Sequence, residues 1–368
     1  MLSLLRLDPA HYGRILQIID DENKACHLIF RVLGPQLQAK FCEMADLSKV
    51  PKVFIHGNPH LDNYARTSTG AGLIDFDRSR VGPYAWDIIR FYSSLSLRGE
   101  DNTSFLTKKV SRSFLDGYMT SFEDPNIYFA MPHFLREVGP TPDETSTSAY
   151  LKANIKWAKK MRKNPLDVKD EKVLKLLRSF LESRNELSLL KEYKLQEAGI
   201  SEGSLGKNHY LLALTPKKSD TKGDPLLLDL KETYQEENTI HFFNPVRHNG
   251  LRMVKASNLY APGVEQRLGY FTYGKTEFWG REVPAFNYKI KHLLSEKEQS
   301  ELAYCVGSQL GRGHRRSCRE VAPKVVSKHL RKNIKEFANI GYHIQQEILL
   351  SYEYLAKSKK LEQQLITA

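Results

Sequence analysis

Apolar positions recur at helical spacing early in the chain and at strand spacing in its middle. After Asp8-Pro9, the residues Tyr12, Ile15, Leu16, Ile18 and Ile19 mark one helix. Cys26, Leu28, Ile29, Phe30 and Val32 mark a second. Tyr64-Ala65 then leads outward, Ser68-Thr69-Gly70 turns, and Gly72-Leu73-Ile74 returns, which is the pattern of a β-hairpin. Ile88, Ile89, Phe91 and Tyr92 predict a helix opened by Asp87. Residues 98–200 read as mostly helical, with helices over 103–122 and 149–190. Between them lies a loop at 132–148 that holds Gly139-Pro140-Thr141-Pro142.

Strand signals return after residue 200. Ser201-Glu202-Gly203-Ser204-Leu205-Gly206 is followed by the strand-like His209-Tyr210-Leu211-Leu212-Ala213-Leu214. The turn Lys222-Gly223-Asp224-Pro225 leads into a second strand that ends at Lys231. A helix candidate covers 248–259. The aromatic stretch 269–283, broken by glycines, reads as two more strands, with a hinge expected at Arg281-Glu282-Val283. Residues 299–312 set Leu302, Ala303, Val306 and Leu310 on one helix face, and 324–364 form a charged helical tail. No internal repeat is visible. The pattern predicts an α+β chain in three parts: a helical part over 1–190, a β-rich part over 191–285, and C-terminal helices over 286–368 that return to the first part.

The densest chemistry lies between His56 and Asp87. It runs His56-Gly57-Asn58-Pro59-His60-Leu61-Asp62-Asn63, then Leu73-Ile74-Asp75-Phe76-Asp77, then Gly82-Pro83-Tyr84-Ala85-Trp86-Asp87. Phosphoryl transfer asks a protein mainly for Mg²⁺ to neutralise phosphates and for a polar group to orient the attacking hydroxyl. Mg²⁺ takes hard oxygen ligands, usually one or two carboxylates plus phosphate oxygens. The hairpin can bring the Asn63 amide oxygen and the Asp75 carboxylate together as metal ligands. Asp75 follows an apolar strand and is expected to be partly buried, where a carboxylate needs a charged partner. Asp87 suits capping or loop support. His56 and His60 read equally well as core histidines.

These three blocks resemble the aminoglycoside phosphotransferase and choline kinase group, whose signature is His-Gly-Asp-x-His followed by Asn and then by Ile-Asp-Phe or Ile-Asp-Trp. Asn58 stands where that signature has its catalytic aspartate. A closer likeness is to a bacterial family described as a domain of unknown function, marked by Gly-Asp-x-His-x-x-Asn, Asp-Phe-Asp and Gly-Pro-x-x-Trp-Asp. The last two marks are intact here, and the first departs only at Asn58. The resemblance implies catalytic roles for Asn58, His60, Asn63, Asp75 and Asp77, metal binding by Asn63 and Asp75, and ATP and Mg²⁺ as cofactors. It also makes His314 a candidate site residue; a solvated helix end is the plainer reading of that position.

A kinase places its nucleotide lobe before the catalytic loop. Here the 55 residues before His56 read as helix and hold no glycine-rich loop. The glycines come later, at Gly203 and Gly206, and glycine lets backbone approach phosphate. With Ser204, Leu205 and Lys231 they form the expected phosphate-binding set. The implied fold is therefore a two-lobed, protein-kinase-like fold in circularly permuted order, as in the look-alike family, which carries Gly-Ser-x-Gly and a Lys-Glu pair, here Lys231-Glu232. A kinase pairs the strand lysine with a helix glutamate, but the helix candidate at 248–259 carries Arg252 and Lys255 instead. Glu232, Glu236 and Glu237 remain open as substitutes.

Composition narrows the class. The chain has 368 residues, 41% hydrophobic and 27% charged, enough for a large core. No apolar run reaches the ~20 residues of a membrane span. Four scattered cysteines without metal spacing suggest reduced thiols and a cytoplasmic protein. The net charge of +12 favours an anionic ligand such as a nucleotide. The basic run over 152–175, with Lys156, Lys159, Lys160, Arg162 and Lys163 around Trp157, reads as a solvated helix face before it reads as a nucleic-acid site. The leading expectation is an ATP- and Mg²⁺-dependent phosphotransferase acting on an unidentified small-molecule hydroxyl. The alternatives are a pseudokinase that binds nucleotide or a partner and, less favoured, a basic nucleic-acid-binding protein.

Overall fold

The computed structural model describes residues 9–100, 105–129, 131–203, 206–217, 223–318 and 321–367. In chain order the elements begin α1 (Pro9–Ile18), α2 (Glu22–Val32), α3 (Gly34–Met44), β1 (Lys52–Ile55), β2 (Tyr64–Thr67), β3 (Ala71–Leu73), β4 (Arg80–Pro83), α4 (Ala85–Ser96) and α5 (Lys108–Glu123). They continue with α6 (Thr147–Lys152), α7 (Lys156–Lys163), β5 (Pro165–Leu166), α8 (Glu171–Ser183), α9 (Leu189–Glu192), β6 (Tyr193–Glu202), β7 (Asn208–Pro216) and β8 (Leu226–Glu232). The last are α10 (Asn249–Tyr260), β9 (Gln266–Tyr273), β10 (Thr276–Glu282), β11 (Asn287–Lys289), α11 (Glu296–Ser317) and α12 (Pro323–Thr367).

The chain divides into two compact units. One gathers Met1–Asp62, Gly82–Phe129 and Ile290–Ala368; the other gathers Asn63–Val81 and Ala130–Lys289. The borders read from sequence, 1–190, 191–285 and 286–368, cut across this division. The hairpin of β2 and β3 falls with the later strands because β11 pairs with β2 in one three-stranded sheet.

The first unit is helical. Its centre is α4, in which every residue is buried, Asp87 and Arg90 included. A helix buried on every side has to be enclosed by others. α12 lies along it with a buried stripe of Val326, Leu330, Phe337, Ile340, Ile344 and Ile348 at helical spacing. α5 and α11 touch backbone to backbone. A Cβ at Gly117, Gly307 or Gly311 would come within 2.3 Å of a facing carbonyl oxygen, so no side chain fits there.

The second unit is built on an antiparallel six-stranded sheet of order β5-β6-β7-β8-β10-β9. Alternation along the strands serves two cores. Leu212, Leu214, Leu228 and Leu230 pack with Val173, Leu177 and Phe180 of α8. Leu211, Ala213 and Leu227 pack with Tyr150, Ala158 and Met161 of α6 and α7. Asp229 and Lys231 share the face of Leu227, while Glu232 ends the strand on the other face. β6 corrects the expectation that residues 98–200 are mostly helical. Its residues alternate polar and apolar against β7, and pairing with β7 from Tyr193 to Glu202 overrides a weak local preference.

Candidate functional site

In the first unit, β1 delivers the chain to the loop at 56–60, and the start of α4 holds that loop in place. The Asp87 carboxylate accepts hydrogen bonds from the backbone N–H of His56 (2.7 Å) and of Gly57 (2.8 Å). It also meets His314 Nε2 at 3.1 Å. The Trp86 indole N–H donates to the Gly57 carbonyl at 2.9 Å. Gly57 takes φ +85°, which glycine adopts without strain. Asp87 thus has the loop-supporting role its sequence position suggests. His314 stands in the last turn of α11 but is not solvated: it is fully buried between Asp87 and the Tyr118 hydroxyl at 2.8 Å.

Asn58 is half-buried, and its Oδ1 accepts from Arg90 Nε at 3.2 Å. Arg90 is itself buried, stacked 3.7 Å over the Phe30 ring. His60 does not stand at a reactive surface. It is 2% exposed and packs edge-on against Phe30 and His27, the core-histidine arrangement. Sequence reading missed Asp62, on which His27 (3.1 Å), Arg31 (3.1 Å) and Arg98 (3.5 Å) converge. Burial works against its ionised form, and these three neighbours outweigh burial and hold the carboxyl well below the usual range.

His56 is fully buried, and burial pushes its imidazole down to about 4. The unfolded chain then binds more protons than the native one between that value and the ordinary ~6.5. This contribution to stability is whole above about pH 6.5, falls with pH and is gone below about 4, a loss on the order of 3 kcal/mol. Denaturant midpoints are therefore expected to drop between pH 7 and pH 4.5, and His56→Asn should flatten that drop. An equal pH slope in the variant would show that His56 is not its source.

The second unit holds the other expected residues. The Asn63 carbonyl accepts from Ile74 N–H at 2.8 Å, extending the β2–β3 pairing and setting Asp75 one residue beyond. Asp75 is exposed, not partly buried as expected, and sits at φ +72°. A non-glycine residue in the left-handed region is strained, and its neighbours must over-determine it. They do so through Arg252 of α10. Its Nη1 donates to the carbonyls of Asp77 (2.8 Å) and Ser79 (2.7 Å), and its Nη2 to that of Tyr234 (2.7 Å). Phe76 stacks on Tyr260, at 6.3 Å between ring centroids.

Lys231 pairs with Asp77, the two side chains only 9% and 6% exposed as residues. Burial disfavours both charges, but each holds the other charged: the Asp77 carboxyl lies below its ordinary value and the Lys231 ammonium above it. None of the three glutamates left open by sequence fills this place. Glu232 binds Asn208, and Glu236 binds Arg78 (2.7 Å) and Arg80 (2.8 Å). Glu237 contributes only its carbonyl, to Arg80. Asp77 and Lys231 are far apart in sequence, so no local signal pairs them.

The glycine turn closes the β6–β7 hairpin. Gly203 N–H donates to Lys207 O, and Gly206, at φ +68°, donates to Gly203 O. Ser204 and Leu205 lie outside the described residues. A Cβ on Gly203 would stand 2.8 Å from His209 Nε2, so a side chain there would push the His209 ring aside. His209 faces Lys231 across β7 and β8, and its Nδ1 meets Asp229 at 2.8 Å.

Among the described residues no three His, Cys, Asp or Glu side chains converge as a metal cage. Mg²⁺ does not need one, since it uses one or two carboxylates with substrate oxygens. The donor set fits that pattern. The buried Asp77 carboxyl interacts with that of Asp75, and Asp75, two residues earlier, is exposed.

Residues 148–367 match the model of a family described as Uncharacterized protein conserved in bacteria (DUF2252). Residues 6–138 match the model of the Phosphotransferase enzyme family (APH). No curated protein and no solved structure matches the chain. The fold mixes helix and sheet, and the second match relates it to kinase-like phosphotransferases. Among the described residues no helix is long and apolar enough to cross a membrane.

Proposed function

The chain belongs to the bacterial family of uncharacterized conserved proteins DUF2252, and on that premise we propose that it binds ATP and Mg²⁺ in the manner of a circularly permuted kinase. The observation that carries this reading is the buried Lys231–Asp77 pair beside Asp75 in the second unit. A lysine on a strand, an acidic turn and a glycine turn on the preceding hairpin are the parts that phosphate handling needs. In this reading Asn63 and Asp75 hold the metal and Lys231 with the Gly203–Gly206 turn holds phosphate. Mg²⁺, when bound, supplies charge neutralisation for the phosphates. Arg252 keeps the Asp75 backbone in its strained conformation, so the carboxylate is already aimed before ligand arrives. Asp77 keeps the Lys231 ammonium charged and fixed.

Asn58 supports a second reading, in which nucleotide is bound but transfer is slow or absent. An amide accepts or donates a hydrogen bond but does not take a proton at neutral pH. With its Oδ1 on Arg90, Asn58 can orient a hydroxyl acceptor but not act as its base. The acceptor in either reading is a small molecule bearing a hydroxyl group.

Thermal unfolding with and without ATP and Mg²⁺ tests the proposal. A ligand at 100 times its Kd stabilises the native state by about 2.7 kcal/mol, which is a shift of several degrees. Lys231→Met is expected to lose most of that shift relative to its own unliganded baseline. A shift of equal size in Lys231→Met, or none in the unaltered protein, would count against nucleotide binding at this lysine.

A further inference from the structure

The first turns of α12 and the connection between α3 and β1 line an open pocket of about 620 Å³, wholly within the first unit. That size is typical of a small-molecule site. Its base is apolar: Val50 and Phe337 are buried there, and Val325 stands 52% exposed in its wall. Its α12 side carries Lys324, Lys328 and Lys332. Four-residue steps put the three ammonium groups on one helix face, about 6 Å of axis apart.

Of the two carboxylates that line the pocket, Asp46 and Glu336, Asp46 is held in an ion pair by Lys49. Glu123 takes Arg331. No described carboxylate forms an ion pair with the three ridge lysines, although Glu336 stands further along the same wall. Like charges at four-residue spacing destabilise a helix. A plain solvated face would relieve this with acidic residues between them, and Lys324-Val325-Val326-Ser327-Lys328-His329-Leu330-Arg331-Lys332 has none. The base is also rigid. His329 Nδ1 lies 2.9 Å from the Tyr84 hydroxyl, and its ring packs against Tyr84 and Phe337.

We propose that this pocket binds an organic anion with an apolar body: a chain or ring seated on Val50, Val325 and Phe337, and a phosphate or carboxylate head on the lysine ridge. The inference is independent of the nucleotide reading, because none of these residues belongs to it. The experiment is a calorimetric titration of the full chain with monomeric decyl phosphate, with decyl glucoside as the uncharged control. The expected result is saturable binding that weakens with salt, and at least about tenfold weaker binding of the glucoside. The triple variant Lys324→Ala, Lys328→Ala, Lys332→Ala should weaken decyl phosphate about tenfold, the sum expected of three exposed charge contacts. Val325→Asp should weaken it as well, and all three lysines are exposed, so the triple variant should melt as the unaltered protein does. Absence of binding, equal affinity in the triple variant, or equal affinity for the glucoside would overturn the proposal. Binding to anionic vesicles but not to the monomer would also overturn it, and would assign the lysines to a membrane surface.

Discussion

Asn58→Asp is expected to raise phosphoryl transfer from ATP by about 10²-fold, read as ADP release with water and with a panel of small hydroxyl compounds. A positioned general base is typically worth ~10²–10⁴-fold. The lower figure is expected because of Arg90. Its Nε already bonds the residue-58 side chain at 3.2 Å, and Arg90 is buried and stacked on Phe30, so it cannot turn away without breaking packing. A carboxylate placed there keeps the same orientation and gains a charge-assisted bond. The same charge holds the carboxyl acidic and makes it a weaker base. Orientation is gained and basicity is partly lost. Asn58→Ala, which has neither, should give no increase. If Asn58→Asp binds nucleotide and transfers no faster than the unaltered protein, the pseudokinase reading stands.

Asp87→Ala should be the most destabilising single change in the first unit, by about 3–5 kcal/mol. The carboxylate has no solvent access and satisfies two backbone N–H groups and the His314 ring at once. Alanine would leave all three donors buried without a partner, and each unsatisfied group costs about 1–3 kcal/mol. Asp87→Asn should lose less, since an amide oxygen still accepts one of the bonds but its NH₂ faces a donor. Urea midpoints of the two variants check the order. Equal midpoints for Asp87→Ala and the unaltered protein would mean that the loop at 56–60 is held by Trp86 and its surroundings alone.

Much of the local structure was readable along the chain because local pattern sets it. The β2–β3 hairpin, α10, the β9–β10 pair and α12 all follow from apolar spacing and turn residues. Asp87 as loop support followed from its place at the head of an apolar helix. What stayed hidden depends on pairing across long separations. Nothing near Lys231 in sequence points to Asp77, and nothing in α10 shows that Arg252 grips the carbonyls after Asp75. The burial of His314 follows from glycines that let α5 and α11 touch, a tertiary effect invisible in a basic stretch at the end of a helix. β6 was missed for the same reason: its mixed residues become a strand only beside β7. Asp75 shows a different limit. Its exposure and left-handed backbone come from the turn after β3, where apolar alternation has already ended.

The central claim is a metal-dependent nucleotide site in the second unit, and a calorimetric titration with ATP, with and without Mg²⁺, tests it most directly. The account predicts binding that requires Mg²⁺ and that vanishes in Asp75→Ala, measured well below that variant's own melting midpoint because alanine fits the φ +72° backbone less well than aspartate. Binding of equal strength without Mg²⁺, or undiminished in Asp75→Ala, would contradict it. So would the absence of any heat, which would leave a kinase-related fold without a nucleotide function.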